Sequence, residues 1–210
     1  NIIIDSSQFK RNDLISKNIL QIKDLIDLKN HEIKASYINN KLSIKGKGEI
    51  KLLDKFDTID YEVVKKGSDL DLVSNIELSE INIKNQNLIK EYLPNTKDTL
   101  SLKEHKFKIN YKDDTLSLEG LGKIKLEKEF NEIRYAFSKK NKKYNFETDL
   151  KVNDTSLKID FINYEKDKKL NSQLKIIGSY TKKIGLNLKE ISLNSKNNKI
   201  IISNLILDNK

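Results

Sequence analysis

The stretch from Leu42 to Leu52 reads Leu-Ser-Ile-Lys-Gly-Lys-Gly-Glu-Ile-Lys-Leu, with an apolar residue or glycine at every second position. A side-chain period of two belongs to a β-strand with one buried face. Gly46 and Gly48 fall on the apolar side, where large side chains are expected. The same pattern returns from Leu116 to Leu126, with Gly120 and Gly122 in the gaps. A chain that uses this strand twice has to be built around extended structure.

The recurrence is wider than one strand. At a constant offset of 74 residues, His31 aligns with His105, Tyr37 with Tyr111, Phe56 with Phe130, Ile59 with Ile133 and Tyr61 with Tyr135. Residues 31–78 share 15 of 48 identities with 105–152, without a gap. A gapless match that includes His, Gly-x-Gly, Phe and Tyr is hard to obtain from biased composition alone. The period exceeds that of the common solenoid units and holds four or more strands and a short helix. It predicts two repeats, about 5–78 and 79–152, with further strands over 153–210.

In chain order, Ile2 to Ile4 give a short strand that ends in a polar turn at Asp5, Ser6 and Ser7. The spacing of Leu14, Ile15, Ile19, Leu20, Ile22, Leu25 and Ile26 predicts a short helix over 11–26, capped by Asn12 or Asp13. Alternation then takes over from Glu32. Asn39-Asn40 has the φ tolerance of a tight hairpin. Ile59, Tyr61 and Val63 form a strand that turns at Lys65–Asp69 into another carrying Leu70, Leu72, Ile76 and Leu78. Residues 87–93 predict one or two helical turns, stopped by Pro94, the only proline. Beyond the repeats, short strands are expected at Leu157–Phe161, Leu170–Ile176, Ile184–Leu188, Ile191–Leu193 and Ile200–Ile202. Nothing reads as a linker, so 1–210 is expected to be one continuous all-β, mostly antiparallel segment with one or two short helices.

The residues give no chemistry to an enzyme. There is no Cys, and no Ser-His-Asp arrangement can be assembled. His31 and His105 lie a whole repeat apart, each at the start of a predicted strand, too far to share a metal. The Gly-x-Gly pairs lack the third glycine and the following helix of a dinucleotide loop. No catalytic residue, cofactor site or metal site is expected. The net charge of +9 suggests nucleic acid, but 38 of the 40 basic residues are Lys, and these alternate along strands instead of clustering. Phosphate forks and base reading favour Arg. With 24 Asn beside so much Lys and Ile, the charge reads as a solvated face rather than a nucleic-acid surface. Attraction to anionic lipid head groups remains compatible with it.

The apolar face is what the sequence leaves for function. It comprises Ile33, Tyr37, Leu42, Ile44, Ile50, Leu52, Ile59, Tyr61 and Val63 in the first repeat. The second supplies Phe107, Ile109, Tyr111, Leu116, Leu118, Ile124, Leu126, Ile133, Tyr135 and Phe137. Such a face needs cover, and two short helices are little cover for so many strands. It is satisfied by a second sheet in a closed β-sandwich, by a barrel or curled sheet, or by an apolar ligand in an open groove. Gly46, Gly48, Gly120 and Gly122 either let the sheet curl or leave room for a helix, an aromatic ring or an acyl chain. Curvature with local space is the expectation.

Long alternating strands, the step Asn87-Leu88-Ile89-Lys90-Glu91-Tyr92-Leu93-Pro94, and the strand Leu116-x-Leu-x-Gly-x-Gly-x-Ile-x-Leu126 together resemble the AsmA-like bacterial envelope family. The likeness is to its YhdP- and TamB-type repeating β-groove members, best over about residues 30–160. The resemblance implies an elongated, curved and twisted sheet with an open hydrophobic groove. It also implies a periplasmic location in a diderm bacterium, within a longer protein anchored to the inner membrane. It implies a role in moving phospholipid between inner and outer membranes, with phospholipid or another acyl-chain lipid as partner and no nucleic acid. The alternative is a structural or adhesive β-repeat module that binds other proteins.

Overall fold

The computed structural model describes residues 2–10, 25–52, 55–84, 93–196 and 198–207. Its strands are β1 (Ile2–Lys10), β2 (Leu25–Ile38), β3 (Lys41–Lys51), β4 (Asp57–Lys66), β5 (Asp69–Lys84), β6 (Thr99–Lys112), β7 (Thr115–Lys125), β8 (Phe130–Lys140), β9 (Lys143–Lys151), β10 (Leu157–Ile159), β11 (Tyr164–Lys166), β12 (Ser172–Thr181), β13 (Gly185–Ser195) and β14 (Lys199–Leu207). Twelve belong to one sheet in the order β1 to β9, then β12, β13 and β14, and the order does not close on itself. β10 and β11 form a separate two-stranded ribbon. Every registered pair is antiparallel.

The 74-residue period is written into the backbone. β2 and β6 have identical bounds at that offset, as do β3 and β7. The two-residue turn Asn39-Asn40 has φ of 52° and 58°, and its equivalent Asp113-Asp114 has 49° and 56°. Two left-handed residues make the turn whose twist matches its flanking strands, and Asn and Asp tolerate that conformation best after Gly. Tyr37 and Tyr111 each donate a hydroxyl hydrogen bond to the last turn residue, Asn40 Oδ1 at 3.2 Å and Asp114 Oδ1 at 3.0 Å. Phe56 lies between the ammonium groups of Lys29 and Lys51, and Phe130 between those of Lys103 and Lys125, all 5.6–5.9 Å from the ring centres. Each contact is worth about 0.5–1 kcal/mol at an exposed site.

Several expectations need correction, and bulges cause most of them. Asn30, at φ 53°, is an extra residue where the β2–β3 register shifts between Lys29 and Glu32. It reverses the parity of β2, so Ile26 and Leu28 share a face with Ile33, Ala35 and Tyr37. Read without the bulge, Leu25 and Ile26 look helical; they open β2 instead. Residues 11–24 of the expected helix, and 87–92 of the second, lie outside the described residues. Asp5, Ser6 and Ser7 do not turn the chain. They continue β1, with Ser6 opposite Lys29 and Ser7 opposite Leu28. A second bulge merges the two strands expected at Ile184–Leu188 and Ile191–Leu193 into β13. Gly178 pairs with Leu188 while Ile177 pairs with Glu190, so Lys189 is the extra residue. Ile184 itself lies in the preceding turn. Over 157–162, Leu157–Ile159 is strand but Asp160–Ile162 is a 3-10 turn, which ends at Asn163 with φ 49°. That turn is the one helical element among the described residues.

The chain packs as two compact units, Asn1–Ile81 with Glu104–Leu118, and Asn82–Lys103 with Glu119–Lys210. In each, the buried core lies at the strand ends away from the tight turns. Ile50, Ile76 and Leu78 form it in the first unit. Leu100, Ile124, Leu126, Leu150, Val152 and Leu193 are central to the second. The opposite face carries exposed cross-strand ion pairs, such as Lys45–Glu62 at 3.1 Å and Lys175–Glu147 at 3.0 Å. Pairs of this kind contribute about 0–1 kcal/mol each.

Candidate functional site

In the second unit the register places the apolar face in four cross-strand rows. The first runs Ile133, Leu150, Leu174, Leu193, Ile200. The second runs Tyr135, Thr148, Ile176, Ile191, Ile202, and the third Phe137, Phe146, Gly178, Leu188, Leu205. The fourth runs Lys139, Tyr144, Tyr180, Leu186, Leu207 and lies beside the tight turns. Directly opposed residues project to the same side of a sheet, so each row is a band that crosses the strands. Burial is graded over them. Leu193 in the first row is 2% exposed, whereas Leu207 in the fourth is 47% exposed.

The cover explains the gradient. The β10–β11 ribbon places Leu157, Ile159 and Tyr164 on the core of the first row, together with Leu93. A polar clamp holds this region. Glu127 accepts hydrogen bonds from the Ser156 backbone N–H at 3.0 Å and hydroxyl at 3.2 Å, and from the Lys168 ammonium. Burial alone raises the Glu127 carboxyl, but the Lys168 and Ser156 hydrogen bonds and the Lys168 charge together hold it below the usual carboxylate range. Lys166 is fully buried and donates to the Thr155 carbonyl at 2.8 Å and the Asp167 carbonyl at 3.1 Å. Burial lowers its ammonium pKa, an effect opposed by Asp154, Asp167 and Glu127.

The first unit repeats the scheme. Ile33, Gly46, Tyr61 and Ser74 form one row, and Ala35, Ile44, Val63 and Leu72 the next. Tyr37 and Leu42 lie opposite each other beside the turn. Ile44, Val63 and Leu72 are half-buried, and Tyr37 is exposed.

The glycines have a definite job in this geometry. A Cβ added at Gly46 would lie 2.2 Å from Cζ of Tyr61, its cross-strand partner. At Gly120 it would lie 2.3 Å from Cζ of Tyr135. At Gly48 it would lie 2.4 Å from Cδ2 of His31. Outside the repeats, Gly178 receives Phe146 in the same way at 2.5 Å. Aromatic rings thus lie flat over the gaps, and the space in each gap is already filled. Burial raises the phenol pKa of both Tyr61 and Tyr135. Gly122 lies in β7 two residues beyond Gly120.

His31 and His105 are interior residues of β2 and β6, not residues at a strand's start or edge, and both are buried. The bulge turns His31 inward. Its Nε2 donates to the Glu49 carbonyl at 2.9 Å, and Nδ1 has no partner. No group of three or more His, Cys, Asp or Glu among the described residues is placed to hold a metal.

Of the nineteen residues expected to line a groove, all but Leu52 and Leu126 lie in strands, and those two follow β3 and β7 directly. Ile50, Ile124 and Leu126 belong to the closed core. The half-buried portion includes Ile44, Tyr61, Val63, Leu116, Leu118 and Phe137. Sequence reasoning missed the rows over β12–β14, where Ile176, Ile191 and Leu188 continue the face beyond the repeat. Their alternation was legible, but the bulge at Lys189 hid their shared side. It also missed the Glu127–Lys168 clamp, whose partners are 41 residues apart. Among the described residues no helix is long and apolar enough to cross a membrane. No family model matches the chain, and no curated protein or solved structure matches it.

Proposed function

We propose that the chain is a segment of a lipid-transfer protein that shields phospholipid acyl chains on its half-covered apolar face. One observation carries the reading. The row Phe146, Gly178, Leu188, Leu205 crosses four strands without a charged residue; Gly178 is closed over by the Phe146 ring, while Phe146, Leu188 and Leu205 are only half-buried and are not among the residues that the ribbon packs into the core with the first row. Acyl chains can move along such a band while head groups stay in water, driven only by removal of apolar surface from solvent. The process contains no chemical step. An open groove, a periplasmic location, an inner-membrane anchor and traffic between the two membranes of a diderm envelope go with the AsmA-like resemblance and form part of the proposal.

The test is site-specific photo-crosslinking in cells. A photoreactive side chain at Ile44 or Leu118, both on the apolar face, is expected to capture phospholipid. The same group at Lys45 or Glu119, on the polar face, is expected to capture little. Equal capture from both faces would overturn the proposal.

A second reading, an adhesive or structural β-repeat module, is favoured by the outer strand β14. Ile201 and Ile206 are about half exposed and point away from Ile202 and Leu205. An apolar edge strand of this kind is suited to pairing with another chain. Native mass spectrometry separates the two readings. Bound lipid supports the first, and a lipid-free assembly with protein supports the second.

A further inference from the structure

We infer that the turn rim of the second unit, formed by the β8–β9 and β12–β13 tips, is a docking surface for an anionic bilayer. The two tips are neighbours because β9 pairs with β12, which places Lys143 opposite Thr181 and Tyr144 opposite Tyr180. Residues 139–143 and 181–185 contain Lys139, Lys140, Lys142, Lys143, Lys182 and Lys183 and no acidic residue. The opposite face of this unit carries charges of both signs, as where Lys151 lies against Glu132 and Lys175 against Glu147.

The rim also has apolar reach. Ile184 stands at the tip of the β12–β13 turn, 57% exposed, held there by its backbone N–H, which donates to the Thr181 carbonyl at 3.2 Å. Behind it, the rings of Phe137, Tyr144 and Tyr180 form a ladder with centres 5.9 and 6.1 Å apart, and Lys139 caps Tyr144 at 5.4 Å. Aromatic rings with a polar end, aliphatic tips and flexible lysines are the groups that settle at the boundary between head groups and acyl chains.

Two features favour a bilayer over a nucleic acid, the other polyanion this charge would attract. The rim has no Arg, and its rings pack against one another, whereas single-strand binders present free ring faces for stacking. An exposed isoleucine has no role against phosphate but gains by entering the bilayer. The rim adjoins the acyl-chain face and shares Phe137, Tyr144 and Tyr180 with its last two rows, but its lysines and Ile184 lie outside those rows except Lys139, and its attraction to an anionic bilayer does not depend on acyl-chain transfer.

Vesicle co-sedimentation of the full chain tests this, with phosphatidylcholine vesicles compared against mixed phosphatidylcholine–phosphatidylglycerol vesicles. Binding is expected only to the anionic vesicles, and it should weaken with salt. The triple variant Lys140→Gln, Lys142→Gln, Lys183→Gln should lose roughly a hundredfold in partition, at about fivefold per lysine. A control triple on the polar face, Lys45→Gln, Lys47→Gln, Lys106→Gln, removes the same net charge and should lose only a few-fold. Because the chain has no Trp, Ile184→Trp makes a single fluorescent reporter, and its emission should shift to the blue on contact with anionic vesicles. Equal binding to both vesicle types overturns the proposal, as do equal losses in the two triples or an unshifted Ile184→Trp emission. Tight binding of a single-stranded oligonucleotide without vesicle binding overturns it in favour of nucleic acid. Lipid capture from Ile44 and Leu118 should be unchanged in the tip triple, so each proposal can fail alone.

Discussion

Alanine at Gly120 adds one carbon where Tyr135 already lies. The new Cβ would be 2.3 Å from Cζ, 2.5 Å from Cε2 and 2.6 Å from Oη of that ring. Carbon atoms at rest sit about 3.5–4.0 Å apart, so the ring must retreat by more than about 1 Å. The ring is itself partly buried on the apolar face, so its retreat has to be taken up by its neighbours. Overpacking of this kind costs about 1–3 kcal/mol. Relief of the glycine's backbone entropy returns about 0.5–1 kcal/mol. A net loss of about 1–2 kcal/mol is expected, seen as a fall in Tm of roughly 2–4 °C per kcal/mol for a chain of this length. The decisive measurement is a double-mutant cycle with Tyr135→Ala, followed by far-ultraviolet circular dichroism in thermal and urea melts. Tyr135→Ala alone leaves the Gly120 gap empty and should also destabilise. The double variant should be more stable than the sum of the singles by about 1 kcal/mol, because the new methyl then occupies the vacated space. Strict additivity, or a Gly120→Ala variant more stable than the wild type, would refute the idea that the glycine exists to seat the ring.

Gly67 provides the contrast. It has φ of +60° with nothing within 4 Å of an added Cβ, and its equivalent is Asn141 at φ 54°. Gly67→Asn should leave Tm nearly unchanged, whereas Gly67→Val should cost about 1–2 kcal/mol in the same melts, since the left-handed conformation penalises a branched side chain. The Glu127 clamp should make the second unit acid-sensitive. Its folded pKa is depressed, so its contribution is present above the unfolded carboxylate value of 4.5 and is lost as pH falls through the folded one. Urea melts across that window should show stability falling with pH in the wild type and a flatter profile in Glu127→Gln. The variant should also be about 1–3 kcal/mol less stable at neutral pH, the range for hydrogen bonds to a buried charged group. An unchanged pH profile would remove the clamp from the account.

The sites of these perturbations differ in how far they could be read from the chain. The Asn39-Asn40 turn was legible because turn chemistry is local, and its backbone conformation follows from two adjacent residues. The gaps at Gly46 and Gly120 were legible as gaps, with curvature and local space expected and an aromatic ring among the possible occupants, but not which ring would fill them. The rings that fill them come from the neighbouring strand, 15 residues on in each case. His31 read as a strand-edge residue because the bulge at Asn30 hides that it belongs to a longer strand. The Phe56 and Phe130 alignments were visible, but not that each ring lies between two lysines contributed by separate strands.

By itself the sequence determined a period of two, an apolar side, the turns at Asn39-Asn40 and Lys65–Asp69 and a 74-residue repeat. These depend on neighbouring residues and on direct comparison of one stretch with another. Tertiary structure alone decided the parity of β2 and β13, because an extra residue opposite a strand is defined only by the partner strand. It also decided the extent of cover. Leu193 is closed and Leu207 half-open on one strip of sheet, and it is the first row that the β10–β11 ribbon packs into the core. Alternation specifies which side of a strand is apolar; only the packing of distant segments determines how much of that side remains exposed.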